Sequence, residues 1–245
     1  MRPIVLIPAR LRSVRLPGKP LADLHGEPMI VHVWRRAIEA DVGPVVVACE
    51  DSEIAEAVRA AGGEVEMTGV HHGSGSDRIF EALERRDPEG RYDVAVNLQG
   101  DLPAIDPAAL RTVLALLAES GSAIATLASP LGEDELGDPS AVKVRLVPGP
   151  VEATWRAETF TREHTPCDGG DCHHHIGVYA YRRDALARFV ALPPSASEQR
   201  HGLEQLRALD AGMVIGVALV DTFPLGVDTP TDLARARARL SRNST

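Results

Sequence analysis

The chain has 245 residues, 44% of them hydrophobic and 25% charged, proportions that exclude a collagen, a coiled coil and a wholly disordered chain. Its 26 bases face 35 acids, for a net charge of −9, which argues against nucleic acid or an anionic membrane as the partner. Three cysteines, Cys49, Cys167 and Cys172, are too few for a disulfide framework. No apolar run approaches ~18 residues, and Arg2 and Pro3 come too early for a signal peptide, so the expected compartment is the cytoplasm.

The first element is Ile4-Val5-Leu6-Ile7, a continuous apolar run of the kind buried on both faces of a parallel sheet. Pro28 opens a helix over 28–40, and a strand follows at 45–48. Asp51 is placed to cap the next helix, and Gly62-Gly63 to end it. Strand 64–68, helix 76–86, strand 94–98 and helix 107–119 complete a β-α repeat, the pattern of an α/β protein with a mainly parallel central sheet. Strands at 124–128, 142–147, 176–181 and 214–220 follow less regularly, some of them antiparallel. Helices are expected over 197–210 and 229–239, the second announced by a capping box in Thr229-Pro230-Thr231-Asp232. The stretch 161–175, rich in Gly, Asp, Cys and His, reads as a loop.

In open parallel sheets, ligands collect beyond the carboxyl ends of the strands. The residues after the first strand, 8–21, and after the fourth, 99–103, are therefore expected in one crevice. The first of these places Arg10, Arg12, Arg15 and Lys19 within ten residues. Fixed cations and backbone N–H groups suit a polyphosphate, whose charge is spread over many oxygens. Lys19 is one of only two lysines, Lys143 being the other, and a compact ammonium is not interchangeable with a guanidinium. The loop is not a P-loop, because Ser13 stands where the first Gly belongs. A solvated basic loop is the plainer reading. Asp101 and Asp228 each end a turn beyond a strand, where a carboxylate either begins a helix or holds Mg²⁺ on phosphate oxygens. Ser74-Gly75-Ser76-Asp77-Arg78 lacks dinucleotide spacing and reads as a flexible turn or as backbone brought close to a nucleobase.

The residues Arg10, Ser13, Arg15, Pro17, Lys19 and Leu21 follow the pattern R-x-x-S-x-R-x-P-x-K-x-L, which resembles the CMP-Kdo synthetase family of cytidylyltransferases. The likeness continues through Pro28-Met29-Ile30-Val31-His32-Val33, Gln99-Gly100-Asp101, Ala141-Val142-Lys143-Val144, Leu203-Glu204-Gln205-Leu206-Arg207 and Gly226-Val227-Asp228-Thr229-Pro230, in order and over nearly the whole chain. The resemblance implies a three-layer, Rossmann-like nucleotidyltransferase fold, a homodimer, CTP as substrate and Mg²⁺ as cofactor. It implies one cytidylyltransferase domain over 1–245, with a nucleotide-binding half (1–130), an acceptor and dimerisation half (131–225) and a C-terminal metal-binding turn and helix (226–245). Catalysis would fall to Arg15, Lys19, Asp101 and Asp228, with the metal on Asp101 and Asp228. CTP would be held by Arg10, Ser13, Arg15, Lys19, Ser74, Gly75, Ser76 and Arg78. A small anionic acceptor would meet Gln99, Arg156, His175, Tyr179, Glu204 and Gln205.

Departures from the family pattern gather on the acceptor side. Leu102 precedes Pro103 where the family has Glu, residues 154–161 read Thr-Trp-Arg-Ala-Glu-Thr-Phe-Thr, and Cys172-His173-His174-His175 precedes the His-x-Gly-x-Tyr strand. These changes point to an acceptor other than Kdo, such as a phosphonate of the phosphonoformate kind in phosphonate antibiotic biosynthesis. The alternative is Kdo itself, in lipopolysaccharide synthesis, and a third reading is a non-catalytic nucleotide-binding protein. The His/Cys segment, with His164, Cys167 and Cys172, is open to three readings: a zinc site, a lid, or an anion contact by one or two histidines.

Overall fold

The computed structural model describes residues 1–13, 15–151, 154–163, 167, 172–221 and 223–241. The chain groups into two compact units, Met1–Arg111 with Pro224–Thr245, and Thr112–Phe223. The expected C-terminal segment 226–245 therefore belongs with the first unit, and residues 112–130, expected in the nucleotide-binding half, belong with the second.

The first unit is built from β-α repeats. Strand β1 (Pro3–Ala9) buries Ile4, Val5, Leu6 and Ile7 completely, as its unbroken apolar run demands. A single turn of 3₁₀ helix at Lys19–Leu21 and a small hairpin of β2 (Asp23–Leu24) and β3 (Glu27–Pro28) lead into α1 (Met29–Glu39), which buries Met29, Ile30, Val33 and Ala37 on one face. There follow β4 (Val45–Cys49), α2 (Ser52–Ala60), β5 (Glu64–Met67), α3 (Gly75–Arg86) and β6 (Val94–Leu98). Strand β1 pairs parallel with β4 and β6, and β4 pairs parallel with β5. Helix α4 (Pro107–Glu119) contains the point where the chain passes from the first unit to the second.

The second unit carries a mixed sheet. Its elements are β7 (Ile124–Ser129), α5 (Glu133–Leu136), β8 (Lys143–Pro148), β9 (Trp155–Thr161), β10 (Cys172–Arg182), α6 (Arg183–Ala191), α7 (Ala196–His201), α8 (Gln205–Asp210) and β11 (Ile215–Leu219). Only β7 and β11 pair parallel; β10 with β7, β10 with β8, β8 with β9, and β9 with β11 are antiparallel. A mainly parallel sheet thus describes the first unit and not the second. The expected loop over 161–175 is also corrected. Thr161 ends β9, and Cys172 to His175 open the eleven-residue β10, because their backbone pairs with β8 and β7. His164 lies outside the described residues. The single helix expected over 197–210 is two, since Gly202 takes a left-handed φ of 62° that ends α7.

The last helix, α9 (Pro230–Ser241), belongs to the first unit. Leu24, Met29, Val227, Leu233 and Ala236 form one buried cluster, with Leu16 and Leu225 packed against it. Each of the larger side chains, Leu24, Met29, Val227 and Leu233, contributes roughly 1.5–3 kcal/mol when removed from water. Apolar burial therefore fixes residues near 227 beside residues near 24, and this positions the site.

Candidate active site

Three carboxyl strand ends of the first unit and the turn before α9 supply the site. After β1 the basic loop turns sharply at Gly18, which adopts a left-handed φ of 68° that glycine tolerates without strain. The turn is held by hydrogen bonds from Gly18 N to Leu11 O and from Leu21 N to Gly18 O, and it brings Lys19 inward. After β6, Gly100 passes so close to β1 that a Cβ would stand 2.9 Å from the Pro8 carbonyl oxygen. Asp101 follows, and Val227 N donates to Asp101 O at 2.9 Å, tying the two acid-bearing segments together by their backbones.

The two aspartates meet at one point. Lys19 Nζ donates to Asp101 Oδ2 at 2.8 Å and to Asp228 Oδ1 at 2.9 Å, while Arg15 pairs with Asp228 Oδ2 at 3.0 Å. Burial works against the Lys19 ammonium, but Asp101 and Asp228 outweigh it and raise its pKa above the ordinary lysine value. Burial likewise opposes ionisation of Asp228, and the contacts with Lys19 and Arg15 overcome it and hold that carboxyl below its ordinary value. The plainer reading of Asp228 as a helix cap does not hold. Capping of α9 is performed by Thr229 and Asp232, which exchange Asp232 N to Thr229 Oγ1 and Thr229 N to Asp232 Oδ2 bonds, leaving the Asp228 carboxylate to face Lys19.

A pocket of about 410 Å³ opens here, lined by Arg10, Arg12, Ser13, Arg15, Lys19, Ser74, Gly75, Arg78, Gln99, Asp101 and Asp228 among others. Ser76, expected with them, is 2% exposed and not among the lining residues; it sits on the buried face of α3. Ser74 caps that helix by accepting from Asp77 N. Gln99, expected on the acceptor side, lines the same pocket as the basic loop. Glu50 and Asp51, which sequence reasoning passed over as ligands of the pocket's walls, hold Arg78 and Leu11 N respectively. An acid pair directly after a buried strand was the available signal.

The pocket's donors fit Mg²⁺ in the company of phosphates. Two carboxylates already converge on a single cationic nitrogen, and Mg²⁺ characteristically takes one or two carboxylates and completes its shell with waters and phosphate oxygens. Among the described residues no group of three or more His, Cys, Asp or Glu is placed to hold a metal, so a cage made by protein alone is absent there.

The other expected acceptor residues lie in the second unit. His175 is buried, and its Nε2 lies 3.1 Å from Thr126 Oγ1; Phe160 packs edge-on against its ring and Tyr179 lies 5.5 Å away between centroids. The pairing of β10 with β7 shifts register between Ile176 and Tyr179. Burial pushes the His175 pKa down to about 3, and burial outweighs the nearby Glu135 to lower that of His174. Burial thus disfavours charge on both imidazoles, which weighs against the reading of this segment as an anion contact. Tyr179 is held protonated, chiefly by burial, with Glu204 adding to the effect. Glu204 precedes α8 and Gln205 begins it. Arg156 is exposed on β9, opposite Gly216 and Val147. Cys167 and Cys172 form a disulfide with Cα atoms 5.3 Å apart, a single bridge that removes both thiolates from any zinc reading.

Parallel β-α units carrying a cationic pocket with paired carboxylates at the strand ends define a nucleotidyltransferase. Comparison with known proteins is specific. Residues 4–215 match the family described as Cytidylyltransferase. The chain is 56% identical over 241 residues to the 3-deoxy-manno-octulosonate cytidylyltransferase of Paramagnetospirillum magneticum, covering 98% of each. It is 61% identical to the enzyme of the same name from Rhodospirillum centenum, covering 97% of this chain and 93% of that one. The structure of CMP:2-keto-3-deoxy-manno-octonic acid synthetase complexed with CTP superposes with a TM-score of 0.89 at 38% identity, over 99% of this chain and 100% of that one. The chain belongs to the CMP-Kdo synthetase family of cytidylyltransferases, and it is an enzyme. Nothing in these relatives supports the expected phosphonate acceptor or a place in antibiotic biosynthesis. The substitutions read above as a rewritten acceptor side occur in a chain that matches Kdo-named relatives along its full length. No described helix is long and apolar enough to cross a membrane.

Proposed function

We propose that the enzyme transfers CMP from CTP to 3-deoxy-manno-octulosonate, releasing pyrophosphate, as a homodimer in the cytoplasm. The observation that carries the reading is the Lys19 ammonium between Asp101 and Asp228, beneath a loop of arginines. The names of relatives sharing 56% and 61% of their residues supply the acceptor.

The chemical problem is to bring two anions together and to disperse the charge that builds on the leaving group. Arg10, Arg15 and Lys19, with Ser13, hold the triphosphate, and Ser74, Gly75 and Arg78 border the cytidine. The acceptor's anomeric hydroxyl oxygen bonds to the α-phosphorus. The bond from that phosphorus to the oxygen bridging the β-phosphate breaks, and pyrophosphate leaves with the electron pair while the hydroxyl proton passes to solvent. Arg15 and Lys19 compensate the charge left on pyrophosphate, and fixed charges of this kind cost no reorganisation at the moment of reaction. Mg²⁺, when bound, would be held by Asp101 and Asp228 and supply further neutralisation of the phosphates. Gln99, Arg156, His175, Tyr179, Glu204 and Gln205 orient the acceptor, His175 as a neutral hydrogen-bonding group.

The test is pyrophosphate release with CTP, UTP, ATP and GTP against Kdo, other sugar acids and phosphonoformate. Release with CTP and Kdo is expected. Release only with a phosphonate, or CTP binding without release for any acceptor, would overturn the proposal.

A further inference from the structure

The acids Glu50 and Asp51 follow β4 directly and have no part in the chemistry above. Their carboxylates serve two different pieces of the pocket. Glu50 Oε2 accepts from Arg78 Nη2 at 2.5 Å, with the two side chains only 5% and 3% exposed, and Arg78 donates a second bond to Thr68 Oγ1 at 2.7 Å. Asp51 occupies the position before α2 where an aspartate ordinarily caps, and the sequence pattern assigns it that task, yet its side chain makes no cap. Instead it accepts from Leu11 N at 2.8 Å, forty residues earlier. Leu11 lies between Arg10 and Arg12, and its own carbonyl accepts from Gly18 N at 3.2 Å. One residue thus receives the tether at the start of the basic loop and passes it to the turn that delivers Lys19.

A forgone cap weakens the start of α2, so the carboxylate serves tertiary structure instead. The need is physical: Arg10, Arg12 and Arg15 repel one another, and a loop with no fixed hydrogen bond at its start must be ordered when a nucleotide arrives. Ordering it beforehand lowers that cost. We infer that Glu50-Asp51 is the positioning element of the nucleotide pocket, Asp51 holding the phosphate loop through Leu11 and Glu50 holding Arg78 in the pocket wall. The inference rests on the CTP reading given above.

The test compares Asp51→Ala with Asp51→Asn in the full chain, because Asn keeps an acceptor oxygen for Leu11 N. Calorimetry with CTP is expected to show about tenfold weaker binding for Asp51→Ala, the worth of one hydrogen bond to a charged group, and recovery of most of it in Asp51→Asn. The KM for CTP follows the same order, while kcat at saturating CTP moves far less. Hydrogen exchange of the peptide covering 10–21, without nucleotide, quickens in Asp51→Ala alone. Glu50→Gln strands a buried guanidinium and risks the fold, so Glu50→Asp, which keeps the charge and shortens its reach, tests the other arm and is expected to weaken CTP binding with an unchanged circular dichroism spectrum. Unchanged CTP affinity in Asp51→Ala or in Glu50→Asp, or equal loss in Asp51→Ala and Asp51→Asn, would overturn the inference. Wild-type protein that binds no CTP sinks the functional reading and this inference with it. Wild-type protein that binds and turns over CTP confines any failure to the positioning role.

Discussion

Two clusters, one in each unit, treat buried charge in opposite ways. In the first, Lys19 and Asp228 keep their charges in a partly buried cluster because their contacts outweigh the cost of burial. In the second, burial disfavours the charged forms of His174, His175 and Tyr179, although His174 keeps a contact with the Glu135 carboxylate and His175 one with the Thr126 hydroxyl. A pocket for a triphosphate needs standing positive charge. Under the proposed function the acceptor, a polyhydroxylated acid, meets His175, Tyr179 and Gln205 as well as Arg156 and Glu204, and discrimination there comes through hydrogen bonds that must be matched.

The largest effect expected from breaking this contrast is at Asp101. Asp101→Asn should cut turnover by about 10³-fold or more with the thermal transition retained; a near-normal kcat would remove Asp101 from its proposed role. Lys19→Arg comes next. A planar guanidinium cannot take the place of a compact ammonium between two carboxylates, so kcat/KM for CTP should fall by about 10²-fold, and a wild-type value would show that only positive charge is needed there. Val227→Ala should cost roughly 2 kcal/mol in urea unfolding and lower kcat/KM as well, because Val227 positions the segment carrying Asp228. Lost stability with unaltered kinetics would uncouple the apolar cluster from the site.

A further effect is expected in acid. A histidine whose folded pKa lies below its unfolded value contributes stability that is complete above the unfolded value and is lost as pH falls toward the folded one. For His175 that window runs from 6.5 down to about 3. Asp228, also depressed, contributes only above its ordinary carboxyl range and fails at lower pH. Lys19, raised, loses its contribution as pH rises past the ordinary lysine value. Urea unfolding from pH 7 to pH 4 should therefore decline less steeply in His175→Gln than in the wild type, whereas Asp228→Asn should leave the slope above pH 5 unaltered. Identical slopes for His175→Gln and wild type would contradict a buried neutral imidazole.

Legibility differs between the units for a physical reason. In the first, strands buried on both faces are continuous apolar runs and their helices carry Pro, Gly and Asp at the ends, so β6 (Val94–Leu98) and α4 (Pro107–Glu119) fall on the expected residues. In the second, strand β10 includes Cys172-His173-His174-His175, a composition that reads as loop, and its pairing with β7 and β8 overrides local propensity. Strand β9, partly exposed, and helix α6 do not show in the sequence as continuous apolar runs or with end signals such as those of the first unit. The acceptor was less legible than the nucleotide side: the departures from the family pattern pointed away from Kdo, whereas the relatives carry Kdo in their names.

What the amino-acid order fixed unaided was local: the β-α repeat, the cations of residues 10–19, the capping box at Thr229 and a family pattern along nearly the whole chain. What required the folded molecule was every relation over distance. Lys19 and Asp228 stand 209 positions apart, and only burial of Val227 and Leu233 beside Leu24 and Met29 makes them neighbours. Whether an aspartate caps its own helix or reaches across to another loop, as Asp51 and Asp228 do, depends on which partner lies within hydrogen-bonding range, and tertiary packing alone sets that range.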